Sequence, residues 1–196
     1  MSAVVANARV VVVRHGETEW SRAGRHTSRT DVDLTDVGRE QARAVGGRLS
    51  GYEFAEVWTS PMRRARETCR LAGFDRPVVE RDLCEWDYGD FEGLTTAEIR
   101  EGVPGWTVFT SDPPGGEDGF AVEQRVDRLV TRIRRSPGLV LCVAHGHLLR
   151  VLAARWLGLG AVDGCRFVLD PATLSVLGDE RGVPAVLAWN SRPAEA

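Results

Sequence analysis

The hydrophobic pattern of the chain contains two short, continuous apolar runs that predict buried β-strands, at residues 9–13 and 139–144. The first run contains four consecutive valines, and an uninterrupted β-branched run is typical of a strand covered on both faces. Further short runs predict strands at residues 56–59, 167–169, 173–177 and 185–189. The last two of these are predicted to form a hairpin around residues 178–182.

Segments in which apolar residues recur at helical spacing alternate with these strands. They predict helices near residues 34–49, 62–72, 95–100, 122–133 and 148–157. The stretch 74–120 is rich in Gly, Pro and acidic residues, which predicts long loops around the short helix that it contains. This order predicts one α/β domain over residues 1–196, a three-layer α/β/α arrangement with a mostly parallel central sheet.

The composition gives no electrostatic footprint for nucleic acid or for an anionic membrane. The 196 residues carry a formal net charge of −3, and no apolar run approaches the roughly 20 residues that span a bilayer. Residues 1–7 lack the basic and apolar segments of a signal peptide, so we expect a cytoplasmic location. The four cysteines do not have the spacing of a zinc site, and we expect them to be reduced.

All 25 basic residues are arginine, and the chain contains no lysine. This excludes a Walker-type lysine, a protein kinase lysine, a Schiff base and a pyridoxal-phosphate site. A chain that handles phosphate without lysine must use arginine, histidine and backbone N–H groups.

Polar residues of one chemical kind follow three of the predicted core strands. Arg14 and His15 come directly after the first strand, His145 follows the second buried run, and Arg64 lies on the helix after a shorter strand. Ligands of such sheets bind beyond the carboxyl ends of the strands, so we expect these side chains to meet in one crevice. Cationic groups placed together repel one another unless they hold an anion, and Arg binds phosphate oxygens in a bidentate manner. A neutral imidazole in this crevice can attack phosphorus without a metal ion.

The leaving group of a phosphate ester needs a proton, and the segment 82–92 offers several carboxyl groups. A carboxyl group beside a bound phosphate dianion keeps a proton more readily, which suits it to this task. Glu85 is the leading candidate, but spacing alone also permits Asp82, Asp87, Asp90 and Glu92.

The run from Val13 to Trp20 resembles the signature of the histidine phosphatase superfamily, the phosphoglycerate-mutase-like proteins. The resemblance covers most of the chain, and its specificity lies in further motifs that follow in the right order. These motifs are Leu34-Thr35 with Gly38 and Gln41-Ala42, Ser60-Pro61 with Arg64-Ala65 and Thr68, Glu85 with Tyr88-Gly89 and Phe91-Glu92-Gly93, Gly116-Glu117, and Ala144-His145-Gly146-His147.

The resemblance implies a phosphoglycerate-mutase-like fold and a role for each site residue. His15 corresponds to the nucleophile and Glu85 to the proton donor, while Arg14, Arg64 and His145 correspond to the phosphate clamp. Contacts with substrate are further implied for Ser21, Thr27, Ser28, Tyr88 and Gly146.

Two features depart from the family pattern. Ser21 stands where many members have Asn near the phosphate, so we expect that contact to be weaker or shorter. Thr27-Ser28-Arg29 replaces a more usual Gln-Gly or Thr-Gly pair, so we expect substrate choice to differ. His147 is expected either to orient its neighbours or to cap the following helix, and His26 to lie in a loop near the mouth of the site.

We therefore predict a metal-independent phosphatase that hydrolyses small phosphate monoesters through a phosphohistidine on His15, with Glu85 as proton donor. The motifs resemble those of sedoheptulose-1,7-bisphosphatase-type members, which indicates sugar phosphates or bisphosphates as substrates. We expect no metal and no cofactor. The expected partner is a small phosphorylated metabolite, with no nucleic acid and no membrane.

Two alternatives stay open at this stage. A mutase returns the phosphate to another hydroxyl of its product and must exclude water, but the chain after His145 is mostly assigned to strands and leaves little to cover the site. A phosphate-binding protein without turnover is the second alternative. The exposed edges of the C-terminal strands also make a homodimer a candidate assembly.

Overall fold

The computed structural model describes residues 7–192, which contain a six-stranded sheet. The strands are β1 (Ala8–Arg14), β2 (Glu56–Thr59), β3 (Val78–Val79), β4 (Val140–Ala144), β5 (Leu174–Glu180) and β6 (Val183–Ser191). Their order across the sheet is β3-β2-β4-β1-β5-β6, with β1 to β4 parallel and β5 and β6 antiparallel. The predicted, mostly parallel sheet is confirmed.

The described residues also form six α-helices. They are α1 (Glu19–Arg22), α2 (Asp36–Leu49), α3 (Arg63–Leu71), α4 (Thr96–Gly102), α5 (Gly119–Arg135) and α6 (Gly146–Trp156). Side-chain oxygens cap the first turn of four of them by accepting a backbone N–H; the capping residues are Thr18, Thr35, Thr95 and Asp118. Single turns of 3-10 helix occur within the long loops at Arg81–Leu83 and Gly89–Phe91.

The four valines of β1 alternate between two hydrophobic cores on opposite faces of the sheet. Val10 and Val12 belong to the core that α5 and α6 cover, whereas Val11 and Val13 belong to the core that α2 and α3 cover. All four side chains are fully buried, as expected for a strand between two helical layers. The three-layer α/β/α arrangement is therefore confirmed.

The prediction of a strand at residues 167–169 is wrong. The carbonyl of Val168 accepts a hydrogen bond from Nε1 of Trp189, and the carbonyl of Leu169 accepts one from Arg14, both at 2.6 Å. These carbonyls bind side chains, so the segment forms no ladder with a neighbouring strand. By contrast, β3 was not predicted, because its two valines lie at the sheet edge and are about half exposed (54% and 49%).

The predicted C-terminal hairpin is confirmed, with a turn at Arg181 and Gly182, whose φ angles are 51° and 82°. β6 forms one edge of the sheet, and its pairing with a second subunit stays a prediction. Within the described residues, no helix combines the length and the apolar character needed to cross a membrane. The predicted domain limits of 1–196, and most of the N-terminal stretch in which no signal peptide is predicted, extend outside the described residues.

Helix α2 rests directly on the loop that follows β1. A Cβ atom added at Gly16 would overlap the carbonyl oxygen of Gly38, and a Cβ atom added at Gly38 would overlap the carbonyl oxygen of Glu17. The two backbones therefore approach so closely that only glycine fits at these positions. This contact fixes the distance between helix α2 and the loop that begins with His15.

Replacing Gly38 by alanine tests the close approach. We expect Gly38→Ala to lower the free energy of unfolding by about 1–3 kcal/mol, because the new methyl group must displace backbone atoms. The matched control is Gly47→Ala in the same helix, where an added Cβ meets nothing within 4 Å. Alanine should raise stability there by about 0.5–1 kcal/mol. Urea unfolding followed by circular dichroism measures both changes, and equal stability of the two variants would contradict the contact.

Candidate active site

The carboxyl ends of β1, β2 and β4 bring the predicted residues together at one edge of the sheet. β1 and β4 are parallel neighbours, and the backbone N–H of His15 donates to the carbonyl of Ala144 at 2.9 Å. His145 comes next in the chain, so the ring centroids of His15 and His145 lie 5.2 Å apart. β2 lies on the other side of β4 and ends just before Ser60.

His15 is buried, and its imidazole has one fixed hydrogen bond. Nδ1 lies 2.7 Å from the carbonyl oxygen of Gly16. A carbonyl only accepts, so Nδ1 carries the proton and Nε2 keeps its lone pair. Burial, reinforced by the positive charges of Arg64 and Arg14, lowers the pKa of His15 well below its usual value. The ring is therefore neutral and has a free nucleophilic nitrogen at neutral pH.

Arg14 presents a buried guanidinium that is incompletely satisfied. Its Nη1 donates to the carbonyl of Leu169 at 2.6 Å, while its buried Nε has no hydrogen-bond partner among the described residues. Burial lowers the pKa of Arg14 from its usual value. Gly146 leaves space for the Arg14 guanidinium, since a Cβ atom added at residue 146 would lie only 3.4 Å from Nε and Cζ of Arg14. A buried donor without an acceptor favours the binding of an anion here.

Arg64 and His145 form a second buried pair. Nε of Arg64 donates to Nδ1 of His145 at 3.2 Å, so the imidazole proton is on Nε2, which donates to the hydroxyl of Ser60 at 2.7 Å. The Nη atoms of Arg64 donate to the carbonyls of Thr30 and Thr27 at 3.0 and 3.1 Å. Burial and the nearby Arg64 charge lower the pKa of His145 well below its usual value.

Glu85 is held at the N-terminus of α6. Its Oε2 accepts the backbone N–H of His147 at 3.0 Å, and its Oε1 accepts those of Leu148 and Trp86 at 2.8 and 2.9 Å. The first N–H groups of a helix have no partner within the helix, so the carboxyl group also serves as an external cap. The three bonds fix its position, and the side chain is only 7% exposed.

His15, Arg14 and Glu85 line one cavity of about 230 Å³. The other acids that spacing permits do not line this cavity; they are Asp82, Asp87, Asp90 and Glu92. The geometry therefore singles out Glu85. Arg64 and His145 do not reach the cavity wall and instead contact each other next to His15.

The cavity wall carries more positive than negative charge. Arg25 and Arg150 line it together with Arg14, whereas Glu85 is the one carboxyl group of the lining among the described residues. Sequence reasoning did not find Arg25 or Arg150. For Arg150 a signal was available, because it follows Gly146 by four residues, one turn along the same face of α6.

Three rings form the outer wall of the cavity. Tyr88 Oη lies 2.5 Å from Nδ1 of His147, and the His26 ring lies 4.7 Å from the Tyr88 ring and 5.7 Å from the His147 ring. Burial raises the pKa of Tyr88 well above its usual value and lowers that of His147 well below it. Burial also lowers the pKa of His26 to about 4. These three rings are therefore uncharged at neutral pH.

The remaining predicted contacts are divided between the cavity and its support. Ser21 and Thr27 line the cavity, as do Tyr88 and Gly146. Ser28 does not line it, and its N–H and hydroxyl donate to the carboxylate of Glu92 instead. Across residues 7–192, no group of three or more His, Cys, Asp or Glu side chains is arranged to hold a metal ion.

Comparisons with known proteins agree with this geometry. The sequence model of the histidine phosphatase superfamily (branch 1) matches residues 10–192. An acid phosphatase of Mycobacterium tuberculosis is 43% identical over 195 residues, which cover 96% of each chain. The sedoheptulose 1,7-bisphosphatase of Saccharomyces cerevisiae is 34% identical, with 88% of this chain and 76% of that protein covered.

A solved structure of an open reading frame from Mycobacterium tuberculosis is also similar, with a TM-score of 0.90 and 41% identity. The alignment covers 93% of this chain and 97% of that one. Sequence, fold and the strand-end site thus agree over nearly the whole chain. The chain therefore belongs to the histidine phosphatase superfamily and is a phosphoric monoester hydrolase.

Proposed function

We propose that the chain hydrolyses small phosphate monoesters through a phosphohistidine formed on His15, with Glu85 as the proton donor. The observation that supports this most is the set of groups in one cavity: a buried neutral imidazole, a guanidinium with an unused donor, and a carboxyl group. Phosphoryl transfer to an imidazole needs a nucleophile, charge stabilisation and a proton for the leaving oxygen. In this proposal, His15 is the nucleophile, Arg14 stabilises the charge and Glu85 supplies the proton.

In the first step, the lone pair on Nε2 of His15 forms a bond to phosphorus while the bond from phosphorus to the ester oxygen breaks. Glu85 gives its proton to that oxygen, which leaves as an alcohol. Arg14 binds the oxygens of the transferring phosphoryl group through its guanidinium, and the charge of Arg64 adds to the stabilisation.

In the second step, a water molecule attacks phosphorus, and the ionised Glu85 takes one of its protons. The bond between phosphorus and Nε2 breaks, so that inorganic phosphate leaves and the neutral imidazole of His15 is regenerated. The proton stays on Nδ1 throughout and is donated in a hydrogen bond to the carbonyl of Gly16, and this bond fixes the direction of Nε2.

We propose sugar phosphates that carry a second anionic group, such as bisphosphates, as the substrate class. A phosphate ester at His15 interacts with Arg14. Arg25 and Arg150 of the cavity wall are then left without a negatively charged group of the substrate to bind. Arg150 is held in place by the carbonyls of Gly164 and Cys165 at 3.0 and 3.2 Å rather than by a carboxylate. A relative at 34% identity is a sedoheptulose 1,7-bisphosphatase, whose substrate has two phosphates.

The first test is phosphate release with excess chelator from sugar phosphates, bisphosphates, phosphoglycerates and phenyl phosphate. We expect release by the wild type and a loss of about 10³-fold or more in His15→Ala, because the nucleophile is removed. Quenching with detergent at alkaline pH during turnover of labelled substrate should trap an alkali-stable, acid-labile phosphoprotein in the wild type only. Transfer between phosphoglycerates without release would favour a mutase, and binding without either reaction would favour a phosphate-binding protein.

The pH dependence tests the state of His15. Its lowered pKa keeps the reactive, neutral imidazole populated as the pH falls below the usual value of 6.5. We therefore expect kcat/KM for 2,4-dinitrophenyl phosphate, whose leaving group needs no proton from Glu85, to change by less than about twofold between roughly pH 7.5 and 5.5 after correction for the ionisation of the substrate. An exposed imidazole would lose about tenfold over the same interval. A tenfold fall would mean that His15 titrates as an exposed imidazole and would contradict the assignment.

Replacement of Arg150 tests the substrate class. We expect Arg150→Gln to lower kcat/KM about 10- to 100-fold for the best bisphosphate, because a charge-assisted contact is lost, and to leave phenyl phosphate nearly unchanged. Arg134→Gln is the matched control. Arg134 lies 4.7 Å above the Trp156 ring much as Arg150 lies 4.5 Å above the Phe109 ring, but it does not line the cavity. An equal loss on both substrates would contradict a second anion site.

A further inference from the structure

Glu85 lies in a loop that has little regular structure of its own. The single 3-10 turns Arg81–Leu83 and Gly89–Phe91 precede and follow it, and residues 84–88 between them are neither helix nor strand. A proton donor must be held within hydrogen-bond reach of the leaving oxygen. The backbone of this loop therefore needs support from other elements.

Arg125 of α5 supplies that support from one side. Its Nη1 donates to the carbonyls of Asp82 and Cys84 at 2.9 and 2.7 Å, and its Nη2 donates to the carbonyl of Glu85 itself at 3.1 Å. The side chain is buried in spite of its charge, at 6% exposure. One guanidinium thus binds the backbone before and at the proton donor.

Glu117 completes the arrangement. It accepts from Nε and Nη2 of Arg125, both at 2.8 Å, in a bidentate ion pair. Its Oε2 also accepts the N–H of Asp87 at 3.1 Å, and its own carbonyl accepts Nε1 of Trp86 at 2.9 Å. The loop is therefore bound on both sides of Glu85 by the two members of one ion pair.

All five N–H donors of Arg125 are used in these bonds, which suits only a guanidinium. A buried ion pair adds little net stability, because the cost of removing both charges from water offsets most of their attraction. Neither Arg125 nor Glu117 lines the cavity that holds His15. Their hydrogen bonds therefore act on the reaction through the loop, since neither side chain contacts a substrate in this cavity.

We propose that Arg125 and Glu117 are positioning residues for proton donation by Glu85, an inference that rests on the proposed function. The pair holds the Glu85 backbone so that its carboxyl group meets both the N-terminus of α6 and the leaving oxygen. A misplacement of about 1 Å can cost on the order of 10²-fold in rate, so the loss of a few backbone bonds is enough to impair this step.

The test compares two aryl esters of similar shape that differ in their need for a proton. 2,4-Dinitrophenolate leaves without protonation, whereas phenolate needs an acid. We expect Arg125→Lys and Glu117→Gln to lower kcat/KM for phenyl phosphate about 10- to 100-fold and that for 2,4-dinitrophenyl phosphate less than about threefold. Both substrates are measured on the same sample, so any unfolded fraction cancels from the ratio. Glu117→Gln, which keeps the shape of the side chain, provides the measurement if Arg125→Lys does not fold.

Arg128→Gln is the matched control. Arg128 lies three residues further along α5 and binds the Asp82 carboxylate with Nε and Nη2 at 3.0 and 2.6 Å, but it bonds no carbonyl of the loop. The Arg128→Gln substitution should leave the ratio of the kcat/KM values for the two substrates unchanged. An equal loss on both esters in Arg125→Lys and Glu117→Gln, or no loss on either, would overturn the positioning role.

Glu85→Gln separates this inference from the proposed function. A loss confined to phenyl phosphate in Glu85→Gln supports the proton donor, and a uniform or absent loss would refute it. If Glu85→Gln is selective while Arg125→Lys and Glu117→Gln are not, only the positioning role fails. In the double variant Arg125→Lys/Glu85→Gln, we expect no selective loss beyond that of Glu85→Gln alone, since the positioned group is already gone.

Discussion

Arg14 and Arg64 place two guanidinium groups in the interior, and their hydrogen bonds within residues 7–192 go to carbonyls and an imidazole rather than to carboxylates. Burying a cation costs free energy unless its N–H groups find acceptors. Backbone carbonyls of Leu169, Thr27 and Thr30 accept hydrogen bonds from these guanidinium groups. The two segments that carry these carbonyls therefore wrap around the strand ends instead of forming strands. Nε of Arg14 is a buried donor with no acceptor among the described residues, and Arg14 lines the cavity.

Burial, reinforced by these two charges, keeps the histidines neutral. Burial and the nearby guanidiniums lower the pKa values of His15 and His145, so both rings stay neutral where an exposed histidine would begin to charge. Each ring then has one donor and one acceptor nitrogen, and their neighbours determine which is which. Nδ1 of His15 donates a hydrogen bond to a carbonyl and Nε2 keeps its lone pair, whereas His145 accepts from Arg64 and donates to Ser60.

The N-terminus of helix α6 holds the Glu85 carboxyl group. The free N–H groups of His147 and Leu148 are occupied by the Glu85 carboxyl group, so they orient the proton donor rather than a phosphate. His15 thus lies at the end of a strand, whereas Glu85, Tyr88 and His26 lie in loops. Such loops need anchors on rigid elements, which is the part we assign to Arg125 and Glu117.

The sequence by itself determined the layers of the fold and the chemistry of the site. Runs of valine and helical spacing predicted the buried strands and the helices, because side chains covered on both faces leave a pattern of their own. The edge strand β3 was missed, and the segment 167–169 was wrongly predicted to be a strand. A short exposed edge strand and an extended loop have the same local pattern of residues. Spacing alone also left five acids as proton donors. Only the tertiary structure placed Glu85 in the cavity, brought Arg25 and Arg150 to its wall and set the protonation of His15, because contacts between residues distant in sequence decide burial and charge.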